Sequence, residues 1–69
     1  MRLYVFRFFD LTGSPVHVHS VRLATDLAAR SLAEDMLGRH AEAQSLEIYS
    51  LGRNVAVLRK PKARMSGVG

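Results

Sequence analysis

The spacing of apolar residues changes twice along this chain, and that change constrains the fold more than any single residue does. RLYVFRFF, residues 2–9, is dense in aromatic and β-branched side chains, the composition of a strand. Successive strand side chains point to opposite faces, so Tyr4, Phe6 and Phe8 share one face and Leu3, Val5, Arg7 and Phe9 the other. DLTGSP, residues 10–15, brings Asp, Gly, Ser and Pro together, which is turn chemistry. VHVHSVRL, residues 16–23, reads as the partner strand of a hairpin. From Thr25 the period lengthens: Leu27, Ala29, Leu32, Ala33, Met36, Leu37 and His40 follow helical spacing, with Arg30, Glu34 and Asp35 off the stripe. Thr25 or Asp26 suits the N-cap, and Arg39 and His40 suit the negative end of the helix dipole. Gly38 costs up to about 1 kcal/mol inside a helix and marks a place for fraying.

SLEIYSLGRNVAVLRK, residues 45–60, returns to alternation. A two-residue Gly52-Arg53 loop with glycine first suits a type II′ turn. That loop sets Leu51 opposite Asn54, Ser50 opposite Val55 and Ile48 opposite Val57. It predicts one apolar face of Leu46, Ile48, Val55 and Val57, because directly opposed residues share a sheet face. The order is β-β-α-β-β, an α+β domain of two layers: a four-stranded antiparallel sheet in strand order 2-1-3-4 with one helix on one face. The domain is expected to span residues 1–60. PKARMSGVG, residues 61–69, has no periodicity and is expected to be a flexible basic C-terminal tail. LYVFRF, LATDLAAR and LEIYSLGRN resemble the opening strand, helix start and closing hairpin of a family of short uncharacterised bacterial proteins, over about residues 2–58. The resemblance implies this fold and assigns no catalytic residues. The chain departs from it by an extra residue or so in the first turn and by histidines where the family tends to carry acidic side chains.

A chain of 69 residues forms one domain and buries only roughly 60% of its unfolded surface. There is no cysteine to staple it, so a metal, a second copy or an unusually regular fold must make up the deficit. The absence of cysteine fits a reducing compartment. No apolar run approaches the length of a membrane span, and Arg7 interrupts the apolar start without a small-residue cleavage site after it. The expected location is the cytoplasm. The net charge is +4, but Arg59, Lys60, Lys62 and Arg64 carry four of the ten basic charges. The remaining six are matched by six acidic residues. The excess is therefore local to the end of the chain.

His17 and His19 lie two residues apart and would face the same way in a strand. Val16 and Val18 have one parity, Val21 and Leu23 the other. A β-bulge at His19-Ser20 would bring all four to the core and turn His17 outward; burying two unpartnered imidazoles would be costly. With His17 outward and His40 on the helix across the sheet, three zinc ligands do not converge. No metal site, no cofactor and no metal-dependent stability are expected. No nucleophile elbow, glycine-rich phosphate loop or walled pocket is recognisable, so the chain is not expected to be an enzyme.

The sheet face away from the helix is the more informative feature. It is expected to display Leu3, Val5, Arg7, Phe9, Glu47, Tyr49, Leu51, Ala56 and Leu58, which is too apolar for a solvated face. Leu3, Val5, Arg7, Phe9, Tyr49 and Leu58 are therefore candidates for a homodimer interface. The alternative uses Phe9 and Tyr49 as stacking platforms for nucleic-acid bases. Arg59, Lys60, Lys62 and Arg64 would then contact phosphates. A protein partner other than a second copy is a further expectation; a membrane is not.

Overall fold

The computed structural model describes residues 1–61. Strands β1 (Arg2–Phe9) and β2 (Pro15–Leu23) precede helix α1 (Asp26–Arg39), and strands β3 (Ser45–Ser50) and β4 (Arg53–Arg59) follow it. The sheet is antiparallel throughout with strand order β2-β1-β3-β4, the expected two-layer α+β arrangement. Tyr4, Phe6, Phe8, Leu46 and Ile48 are fully buried beneath α1. The helix meets them with Ala29, Ala33 and Leu37, spaced four residues apart on one stripe. The two alanines let the helix axis approach the aromatic layer closely. Leu32 and Met36 flank the stripe, whereas Leu27, expected in it, is 73% exposed in the first turn.

Thr25 is the N-cap: its hydroxyl accepts the Ala28 amide at 3.0 Å. The Tyr4 hydroxyl donates to Asp26 beside it, and Arg2 approaches the same carboxylate at 3.4 Å. The start of the helix is thereby tied to β1. The hydrogen bond to Asp26, then burial, raises the Tyr4 phenol above its ordinary pKa. At the other end α1 passes through Gly38 without interruption to Arg39. The Lys60 ammonium donates to the His40 carbonyl at 2.7 Å, satisfying an acceptor that the helix end leaves free.

Two registers differ from the sequence expectation. Phe8 pairs with His17 and Phe9 with Pro15, which leaves Val16 as the extra residue. The bulge of β2 thus lies at Val16, not at His19-Ser20. Tyr49 pairs with Asn54 and Ile48 with Ala56, which makes Val55 a bulge in β4. The loop is Leu51-Gly52, one residue earlier than expected, with φ of 54° and 76°. Positive φ at both central positions is the geometry of a type I′ turn, whose twist matches that of the strands. Ala56 and Leu58 therefore lie opposite Ile48 and Leu46 on the helix side, with Val55 also packed against the core. Val57 faces the other way and is 47% exposed. Leu58 and Ala56 are thus not on the open face.

The first turn is held by Asp10. Its carboxylate accepts the Thr12 hydroxyl at 2.7 Å, the Ser14 amide at 2.9 Å and the Thr12 amide at 3.0 Å. These bonds, the hydroxyl first, hold its pKa below the ordinary value of 3.8. Gly13, at φ 89°, supplies the left-handed step that closes the loop.

Candidate functional site

The sheet face away from α1 is uncovered by any described residue. Pairing places Leu3, Val5, Arg7 and Phe9 of β1 beside Arg22, Ser20, Val18 and Pro15 of β2 on that face. Tyr49, Glu47 and Ser45 of β3 and Asn54, Val57 and Arg59 of β4 complete it. Five of the six residues expected at an interface are there: Leu3, Val5, Arg7, Phe9 and Tyr49. Leu58 is replaced by Val57 for the register reason given above. Val18 was expected in the core; it lies here instead and is 56% exposed, while Leu3 is 47% exposed.

The face has internal order. Arg7 pairs in register with Glu47, and its guanidinium lies 5.8 Å from the Phe9 ring and 6.0 Å from the Tyr49 ring, a favourable cation–π arrangement. The Tyr49 hydroxyl donates to Glu47 at 2.7 Å. That bond, then burial, raises the Tyr49 phenol above its ordinary pKa. Beside this polar centre Leu3, Val5, Tyr49 and Leu51 line a shallow depression of about 220 Å³. Leu51 stands at its rim, 80% exposed, in a left-handed conformation that costs a non-glycine residue about 1–2 kcal/mol. A second depression, of about 260 Å³, lies between the first turn of α1 and β4, lined by Asp26, Leu27, Arg30, Val55 and Ala56.

The histidines are on the opposite face from that predicted for His17. With the bulge at Val16, His17 and His19 pair with Phe8 and Phe6 and share the helix side. The His17 ring centre lies 5.3 Å from Phe8 and 5.0 Å from His40, and His40 lies 4.8 Å from Phe8. The expected separation of His17 from His40 is therefore overturned. The desolvation cost that argued against this placement does not arise. β2 is an edge strand beyond the main cover of α1, so His17 is exposed and His19 half-buried. Glu42 places a carboxylate oxygen 3.8 Å from His40 Nδ1. Among the described residues no three His, Asp or Glu side chains converge as metal ligands.

Of the basic residues proposed for phosphate contacts, Arg59 is exposed at the end of β4 on the open face. Lys60 is half-buried, and its ammonium is committed to the helix end. Lys62 and Arg64 lie outside the described residues, as does the 61–69 tail beyond Pro61. No described helix is long and apolar enough to cross a membrane. Comparison with protein-family models, with curated proteins and with solved structures returns no match.

Proposed function

We propose that this chain is a small interaction module, not an enzyme, and that it pairs with a second copy of itself through the uncovered sheet face. The observation that carries the reading is the apolar patch of Leu3, Val5, Tyr49 and Leu51, with Val18 and Val57 exposed on either side of the Arg7–Glu47 row, on a face where a solvated antiparallel sheet would present polar side chains. Charge favours self-pairing. Arg7 and Glu47 are register neighbours near the middle of the face. A two-fold axis passing close to them sets each arginine against the carboxylate of the other copy, the self-complementarity that an isologous interface requires. Arg22 and Arg59 occupy opposite corners of the face, where a second copy leaves them in solvent. Sedimentation of the full chain across the micromolar range tests the reading: a concentration-dependent dimer is the expected result, and a monomer throughout overturns it.

A second reading is favoured by one observation, the three arginines Arg7, Arg22 and Arg59 against the single Glu47 on this face. Single-stranded nucleic acid would stack on Phe9 and Tyr49. Arg7 already lies close to both rings, which weighs against an open stacking platform. Titration of labelled single-stranded RNA separates the readings. The shortened chain for comparison ends after Lys60, because Arg59 pairs within the sheet and Lys60 bonds both Gln44 and His40. Binding lost with the tail and with salt is expected; salt-resistant binding by the shortened chain would replace the dimer reading.

A further inference from the structure

We propose that His17 and His40 together bind a first-row divalent transition-metal ion such as Zn(II), Cu(II) or Ni(II), and that the ion clamps the edge strand β2 to the C-terminal end of α1. The pair lies on the helix side of the sheet, so the site is independent of the proposed dimer face. The first support is separation. Two imidazoles on one tetrahedral ion, with metal–nitrogen bonds of about 2.0–2.1 Å, hold their ring centres about 5 Å apart. The rings of His17 and His40 are 5.0 Å apart already, with planes inclined at 29°. The two rings are stacked, so bringing one nitrogen from each to a shared ion takes rotation about the imidazole torsions, which are broad and roughly two-fold. His17 is exposed and free to make that turn.

The surroundings suit a cation. Glu42 lies 3.8 Å from His40 Nδ1, positioned to accept that N–H and leave Nε2 as the ligand, the usual role of a carboxylate behind a metal-bound histidine. His40 is the C-cap of α1, at the negative end of the helix dipole. The opposing charge is Lys60, whose ammonium is bonded to the His40 carbonyl; Glu42 offsets it. Arg39 is engaged by Asp35 at 2.9 Å. Phe8 packs against both imidazoles. With no third protein ligand converging among the described residues, the remaining coordination positions belong to water. Such a site prefers imidazole-seeking ions over Mg(II) or Ca(II), which take oxygen ligands.

Thermal unfolding of the full chain with ZnCl2, NiCl2 or MgCl2 tests the proposal. The expected result is a rise in Tm of at least about 4 °C with zinc or nickel, the shift that modest ligation produces in a domain of this size, and no change with magnesium. His17→Ala, at an exposed position, is expected to fold normally and to lose the rise, while His19→Ala keeps it. His40→Ala is expected to lose it too. Should that variant be destabilised, isothermal titration of zinc into His40→Gln provides the same readout. No shift at millimolar zinc, or a shift that survives in His17→Ala, overturns the proposal.

Discussion

The two faces of this sheet are built from the same strands, yet they are different surfaces. Beneath α1, Tyr4, Phe6, Phe8, Leu46 and Ile48 are sealed completely, and Ser50, buried with them, donates to the Leu3 carbonyl at 3.0 Å. On the other side the alternate residues of β1 are Leu3, Val5, Arg7 and Phe9, with no layer of described residues above them. The helix face is a finished core, in which every atom lost leaves a cavity. The open face is a mixture of aliphatic patches and one polar centre, in which substitution changes what the surface can meet rather than whether the chain folds. This contrast teaches that a single helix closes one face of such a sheet and leaves the second uncovered by any described residue, the face through which we propose association.

The sharpest way to break the comparison is to truncate one residue on each face. Phe6→Ala is expected to destabilise by about 3–5 kcal/mol, the usual cost of deleting a buried aromatic. That is most of the stability available to a small domain, so urea unfolding would find the variant largely unfolded. Leu3→Ala, half-exposed on the open face, is expected to cost under about 1 kcal/mol within the monomer and to weaken association instead. Equal losses at the two positions would show that the open face is covered as fully as the core.

A smaller effect of opposite sign is expected at the rim of the open face. Leu51→Gly removes the penalty of a left-handed leucine, and the monomer should gain up to about 1 kcal/mol, seen as a higher unfolding midpoint at low protein concentration. The same change deletes an exposed apolar side chain beside the depression, so dimerisation should weaken as the monomer becomes more stable. A gain in stability without loss of association would separate Leu51 from the interface.

The elements and their order were legible because periodicity changes at Thr25 and again after the helix, and because turn residues separate the strands. Which face each side chain takes was legible in β1 and β3, where large apolar residues alternate cleanly. It failed in β2 and β4. NVAVL places an apolar residue at every position from Val55 to Leu58, so parity carries no information there. The turn reading that replaced it set Gly52 first in a two-residue Gly52-Arg53 loop. The fold places Leu51 there, moves the turn back one residue and absorbs the difference with a bulge at Val55. In β2 the choice turned on the cost of burying imidazoles. That cost depends on how far the helix extends over an edge strand, a tertiary fact that strand patterning does not encode. The convergence of His17 with His40 was hidden for the same reason.

The central claim, that the uncovered face is where a second copy docks, is tested most directly by placing a carboxylate on it. Val57 is 47% exposed and lies opposite Glu47 in the sheet register, so Val57→Glu costs the monomer at most about 1 kcal/mol through the like-charge pair, and in a two-fold interface the added charge enters twice. Sedimentation equilibrium of native chain and Val57→Glu, at matched micromolar concentrations and with circular dichroism to establish folding, is the measurement. The account predicts a native dimer and a folded, monomeric variant. A folded variant that remains as dimeric as the native chain would contradict it.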